Sequence, residues 1–271
     1  MLTSASVNAA APTPTDVHAF RVPNEGPYQA QHGEDRWLES FFKGKADGFF
    51  VEVGAYDGVV LSNTYFFENI GWTGVLVEPD GAKAARCRAN RPKSQVFECA
   101  AVTSPTLDEI TFYAVDGGEV YSTVNMTEHH RLRLTKYGLS FSETRVRAMT
   151  LDRILKAAGV DKIDFITIDV EEGEMDVLGG FDLMRWRPEA VMVETSARVR
   201  EAEIRRYFVE RGYVFHHSIA INDIYVPLRR HETLTAAIDA ASYALHRTSK
   251  SVRRRLSYLA RRAPQWFRKE A

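Results

Sequence analysis

Gly48-Phe49-Phe50-Val51-Glu52-Val53-Gly54-Ala55-Tyr56-Asp57-Gly58 reads as a buried strand that ends in an acid and then turns on glycine. Its strand half is almost wholly apolar and follows the turn pair Asp47-Gly48, the pattern of a central strand covered on both faces. Gly54 and Gly58 turn without a Cβ, which lets backbone N–H groups approach a ligand closely. Ser62-Asn63-Thr64 follows and offers Ser or Asn as the N-cap of a helix through Tyr65-Phe66-Phe67-Glu68. Strand, glycine turn and helix N-terminus in that order make a nucleotide-type binding corner.

Outward from this corner the chain alternates strands and helices. Thr73–Val77 is a second buried strand, ending at Glu78 and stopped by Pro79. A helix is expected over 83–90, a third strand over 95–102 and an alternating fourth over 110–115. Residues 116–143 lack a clean period and read as a long polar loop of the kind that carries function. Strands over 145–149, 164–170 and 190–194 then alternate with helices over 151–158, 174–178 and 201–211. Residues 213–217 and 223–226 pair as a closing antiparallel hairpin. The expectation is an α/β fold with a doubly wound, mostly parallel sheet.

Ligands of such sheets lie at the carboxyl ends of the strands. Four acids fall there: Glu52, Glu78, Asp169 and Glu194. Glu78 stands at the distance past the glycine turn from which an acid accepts hydrogen bonds from ribose hydroxyls, which indicates an adenosine-containing ligand. The dinucleotide pattern G-x-G-x-x-G is absent, and Glu52 and Asp57 would repel a pyrophosphate. An acid-rich turn suits a ligand with an ammonium or sulfonium group, and S-adenosylmethionine (SAM) has both. Glu52 and Asp57 could equally be acids that only cap the following helix.

The runs Phe49–Gly58, Ser62-Asn63-Thr64, Gly71–Pro79, Thr150-Leu151-Asp152 and Ile166–Glu174, in this order, resemble the FkbM-type methyltransferases over about residues 29–226. That resemblance implies a Rossmann-like class I methyltransferase fold with SAM as cofactor. It implies that Glu52, Gly54, Ala55 and Gly58 hold the methionine part and Glu78 the ribose. Asp57, Asn63 and Pro79, within the same motifs, join the cofactor set. Cys99 and Ala100 stand at the adenine contact, although the family often has Asn after the third strand. Asp169 would face the methyl group and the acceptor, with Glu171 and Glu174 at the same mouth. The family usually reads D-x-E-G-x-E; here Glu172 and Gly173 stand in exchanged positions.

Methyl transfer to a hydroxyl benefits from a base, and Asp169 is the first candidate with Glu171 second. Holding the acceptor or the sulfonium without taking a proton is the alternative role for Asp169, and stabilising a helix dipole the alternative for Glu174. His129 and His130 sit with Arg131, Arg133 and Lys136 in the 116–143 stretch. As a substrate lid that stretch would favour an anionic acceptor; the plainer alternative is a solvated basic helix. Glu194 is the third expected acceptor contact. No metal is expected, because no His/Cys pair has ligand spacing. The N/D-P-P-Y/F motif of nucleobase amino methylation is missing after Asp169, so no specific nucleic acid is expected.

Composition bounds the rest. In 271 residues, 45% hydrophobic content and 26% charged content are ordinary for one globular α/β body. Two cysteines, Cys87 and Cys99, make no disulfide framework. Residues 1–27 read as a disordered leader, 28–230 as the methyltransferase domain and 231–271 as a helical, basic extension. From Arg247 onward nine Lys/Arg face one acid, although the whole chain has a net charge of −1. Arg253, Arg254, Arg255, Arg261 and Arg262 are interleaved there with apolar residues, so this extension of an expected cytoplasmic protein could lie on an anionic membrane, bind nucleic acid or dock on an acidic surface; the plainer alternative is a solvated, partly helical extension. The leading functional reading is O-methylation of a sugar, glycan or other small metabolite. N-methylation of an amino sugar or peptide, and a non-catalytic scaffold in a glycan-building complex, are the alternatives.

Overall fold

The structure is a computed structural model that describes residues 27–195 and 198–228, with the side chains of 198–200 outside that set. The expected leader, all but residue 27, and the basic extension beyond 228 lie outside the described residues. The elements run α1 (Glu34–Phe42), β1 (Phe49–Val53), α2 (Tyr65–Asn69), β2 (Thr73–Val77), α3 (Gly81–Asn90), β3 (Ser94–Phe97), β4 (Ala100–Ala101) and β5 (Glu109–Asp116). A 3-10 turn (Glu119–Tyr121), α4 (Glu128–Tyr137), β6 (Ser140–Met149), α5 (Leu151–Ala157), β7 (Phe165–Ile168), α6 (Glu174–Gly179) and α7 (Leu183–Trp186) follow. The described chain closes with β8 (Ala190–Glu194), α8 (Arg198–Glu210), β9 (Tyr213–Ile219) and β10 (Asn222–Pro227).

Seven strands form one sheet in the order β3-β2-β1-β7-β8-β10-β9. The first five are parallel, and β10 runs antiparallel to both β8 and β9. This is the doubly wound, mostly parallel sheet expected from the sequence, with its closing antiparallel hairpin. β1 lies between β2 and β7, so the strand order reverses direction beside the glycine turn, which opens a crevice there.

Strand alternation distributes the core over both faces. Val51, Val53, Val75, Val77, Ile166 and Ile168 pack with Leu151, Ile154, Leu155 and Leu178 on one face. Phe50, Leu76 and Phe165 point the other way, against Leu38, Phe66, Phe67 and Trp72. Period two places Glu52 on the Phe50 side. No described helix is long and apolar enough to cross a membrane.

Two stretches differ from the sequence expectation. The strand expected over 95–102 is two strands in two sheets: β3 pairs with β2, whereas Ala100 and Ala101 pair with Ala148 and Met149 of β6. The expected loop over 116–143 instead contains a 3-10 turn and α4, and its end belongs to β6, which pairs with β5 from Glu109↔Arg147 to Asp116↔Ser140. α4 is the helix that stood as the plainer alternative to a lid, and it buries only His130 and Leu134, too few for a clean apolar period.

Candidate active site

A cavity of about 520 Å³ opens at the carboxyl ends of β1, β2, β7 and β8. Of the residues expected from sequence, Glu52, Gly54, Ala55, Asn63, Glu78, Pro79, Cys99, Ala100, Asp169, Glu171 and Glu194 line it. Gly54 is required by close approach. Its φ is +88°, and a Cβ there would lie 1.7 Å from the Asp169 carbonyl oxygen. The Gly54 and Ala55 N–H groups both donate to the Val77 carbonyl, at 3.0 and 3.1 Å. The turn is thereby pinned between β2 and the end of β7.

Glu78 is buried in the wall and accepts the Tyr56 and Asp80 N–H groups, each at 2.9 Å. Burial pushes its carboxyl up to about 7, against the opposing pull of the Asp80 N–H and Lys83. Two N–H donors leave carboxylate lone pairs for hydroxyls presented from the cavity. Tyr56 takes a left-handed φ of 52°. Its hydroxyl meets Glu119 at 3.4 Å, and Lys83 Nζ lies 5.1 Å from its ring centre while donating to the Glu119 carbonyl at 3.1 Å. Lys83, Tyr56 and Glu119 thus link α3 and the 3-10 turn at the cavity rim. Nothing in the sequence motifs pointed to Lys83 or Glu119.

Glu52 has a different setting from the one expected. Both of its oxygens serve the wall: Ser62 Oγ (2.8 Å), Thr64 Oγ1 (2.6 Å) and Asn63 N (2.9 Å) donate to it. Arg91, 1% exposed, completes the cluster at 3.6 Å and also binds Glu68 at 2.9 Å. Arg91 further donates to the Gly58 carbonyl at 2.9 Å and to Thr64 Oγ1 at 2.9 Å. Burial raises the Glu52 carboxyl while Arg91 and the hydroxyl donors oppose the rise. Asp57 and Gly58 do not line the cavity. Asp57 accepts the Val59 and Val60 N–H groups at 2.9 and 2.8 Å, and Gly58 packs on Arg91 and Cys87. Both build the turn from behind.

On the far side of the cavity Asp169, Glu171 and Glu194 each place an oxygen within 4.8 Å of the others. These hard donors could share protons or hold a cation between them. Asp169 is exposed only in that it faces the open cavity. The protein around it still withholds bulk water, and this, followed by Glu194 nearby, pushes its carboxyl well above the usual range. Burial and then Asp169 raise Glu171 to about 8, with Arg133 pulling the other way through a direct ion pair.

The remaining sequence candidates are placed elsewhere. Glu174 does not line the cavity; its carboxylate accepts the Glu172 N–H at 3.0 Å and braces the turn after β7. His130 is fully buried, with Nε2 2.8 Å from the Tyr121 carbonyl and Nδ1 2.8 Å from Arg133. Burial, followed by Arg133, lowers its pKa. His129 pairs with Glu172 at 2.8 Å. Neither histidine lines the cavity, so the expected basic lid over the acceptor is not formed. Helical spacing explains this: His129, His130 and Arg133 turn toward the Glu171 and Glu172 carboxylates, and of the three only Arg133 reaches the cavity. His32, in the segment before α1, does line it.

Residues 52–215, more than half of the chain, match the family model described as the methyltransferase FkbM domain. No sequence among curated proteins matches the chain. Solved structures with a similar course include a TehB-like SAM-dependent methyltransferase from Corynebacterium glutamicum, at 8% identity, covering 79% of this chain and 93% of that one with a TM-score of 0.42. A precorrin-6y C5,15-methyltransferase from Geobacter metallireducens aligns at 10% identity over 73% and 79% of the two chains, with a TM-score of 0.40. A SAM-dependent methyltransferase from Aquifex aeolicus aligns at 11% identity over 79% and 97%, with a TM-score of 0.39.

Proposed function

The chain belongs to the FkbM methyltransferase family, and from that premise we propose that it O-methylates a hydroxyl of a sugar, glycan or other small hydroxylated metabolite. Its cofactor is SAM, which when bound supplies an electrophilic methyl group on sulfur. One observation carries the proposal: a single cavity has Glu78, at the end of β2, as one wall and Asp169, Glu171 and Glu194, at the ends of β7 and β8, as the other, with the glycine turn after β1 between them. The first wall and the turn offer carboxylate and backbone groups to a ribose and an ammonium. The second offers acceptor oxygens to an incoming molecule, and its one cation, Arg133, is paired with Glu171.

Carboxyl groups accept hydrogen bonds from hydroxyls or, when protonated, donate to them, and Arg133 is already paired with Glu171, so this wall favours a neutral polyol over a phosphorylated acceptor. Asp169 takes the hydroxyl proton at a carboxylate oxygen, and its raised proton affinity makes it a stronger base than a free aspartate. Glu194 and Glu171 orient the acceptor beside it. Enclosure excludes water and holds the two reactants together, which can lower a barrier by roughly 7–11 kcal/mol. The same acidic wall favours one second reading, N-methylation of an amino sugar whose ammonium it would attract. Peripheral attachment to an anionic membrane through Arg253, Arg254, Arg255, Arg261 and Arg262 fits lipid-linked glycan acceptors. Equal liposome binding by a chain lacking 247–271 would end that idea.

The experiment is calorimetry with SAM followed by transfer of a labelled methyl group to matched neutral glycosides, amino sugars and sugar phosphates. SAM binds the wild type, and Glu78→Ala weakens that binding about tenfold, the loss of one buried hydrogen-bonded contact. Methylated glycoside is expected. Label found only on nitrogen would replace O-methylation by the second reading, and wild-type protein that bound no SAM would remove both.

A further inference from the structure

The turn after β7 places side chains where the backbone favours glycine, and the neighbouring glycine where it does not. Glu171 and Glu172 have φ values of 55° and 74°, in the left-handed region that disfavours a Cβ, whereas Gly173 has φ −101°. A glutamate kept in such a conformation is held by its surroundings. Besides the Glu174 carboxylate, which accepts the Glu172 N–H at 3.0 Å, the segment 123–133 supplies contacts to both residues.

Thr123 Oγ1 donates to the Glu171 carbonyl at 2.7 Å, and Asn125 Nδ2 to the Glu172 carbonyl at 3.0 Å. Arg133 binds the Glu171 carboxylate. The Glu172 carboxylate takes the Thr127 hydroxyl on one oxygen and meets His129 Nδ1 at 2.8 Å on the other. Thr127 is also the N-cap of α4, accepting the His130 N–H at 3.0 Å. Burial works against ionising Glu172, but His129 and then Thr127 outweigh it and keep its carboxyl below the usual value. An anion beside the first turn of α4 is further favoured by the helix dipole.

Glu172 does not itself line the cavity, but the segment it grips does, through Tyr121, Thr123, Val124 and Arg133. We propose that Glu172 is a positioning residue that latches the N-terminus of α4, and thereby sets the 121–124 wall and Arg133 against Asp169 and Glu171. The latch explains why a glutamate stands at a left-handed position with a glycine beside it. Its second readout rests on SAM being the cofactor; its first does not.

The test is hydrogen exchange on the full chain. Glu172→Gly removes the carboxylate and frees the backbone, so a purely local role would leave the protein as stable as before or more so. A latch instead gives faster amide exchange across 119–137 with β1 and β2 unchanged. SAM affinity falls about tenfold if the wall is closed a tenth of the time. Glu172→Gln, which can still bond both Thr127 and His129, should restore most of the protection. His129→Ala removes one of the two clamps without altering the strained turn and should show part of the effect. Wild-type exchange in Glu172→Gly or His129→Ala, or Glu172→Gln as unprotected as Glu172→Gly, overturns the latch. Should Glu172→Gly not fold, the other two variants decide by the same criteria. Wild-type protein that bound no SAM would break the proposed function and leave the exchange comparison to judge the latch.

Discussion

Two groups of acids, one around Arg91 and one beyond β7 and β8, are treated in opposite ways. Around Arg91, the carboxylates of Glu52 and Glu68 are buried and surrounded by donors from Ser62, Thr64, Asn63 and Lys93. Across the cavity Asp169, Glu171 and Glu194 crowd one another with Arg133 as the cation in their midst. The first group is satisfied by the protein itself and holds the glycine turn in shape. Burial raises Glu52 in the first group and Asp169 and Glu171 in the second, but Arg91 and three donors oppose the rise at Glu52, whereas neighbouring carboxylates add to it at Asp169 and Glu171. Architecture and chemistry therefore use the same residue type, separated by how completely the fold pairs it.

Removing Arg91 is the largest expected break in this contrast. Arg91→Ala leaves Glu52 and Glu68 buried without their cation and should cost about 3–5 kcal/mol, measured by denaturant unfolding. A loss under about 1 kcal/mol, the value of a surface pair, would mean the pillar is not structural. Asp169→Asn should act the other way. It relieves like-charge crowding, so the ligand-free protein should melt no lower than wild type, while turnover falls about 10²–10⁴-fold. Intact turnover would remove Asp169 as the base. Glu171→Gln is the subtlest. Glu171 sheds its proton at about 8 in the folded chain and at 4.5 ordinarily. Between those values the native state keeps a proton the unfolded chain has lost, so stability falls as pH rises through that window. Unfolding curves of Glu171→Gln across that range should show a shallower decline; an unchanged slope would place the protons elsewhere in the cluster.

The satisfied group was the easier half to read. Phe49–Gly58 lies contiguous in sequence, and its apolar run and glycines are local signals that placed β1 and the turn correctly. Even so, Arg91 was missed. It follows the end of α3 as an unremarkable basic residue, and its partners Glu52, Gly58, Thr64 and Glu68 are all far back in the chain. Asp57 and Gly58 carry the right residue types for a ligand turn, but register sends them behind the cavity. The acidic half was legible only as a set of strand ends. His129 and His130 looked like acceptor contacts because adjacency and charge suggest a lid, whereas the helix they begin packs them onto Glu172, the Tyr121 carbonyl and Arg133.

From the sequence alone came the alternating strands, the parallel sheet, the glycine turn, the acid at each strand end and the family, because each is written in a short run or in the order of such runs. Tertiary structure alone decided which acids face the cavity, which are paired behind it, and that residues 117–124 and Arg133 form part of its wall. Those outcomes depend on contacts between segments distant in the chain, where burial and a neighbouring charge, not residue type, determine whether a carboxylate supports the fold or waits for a substrate.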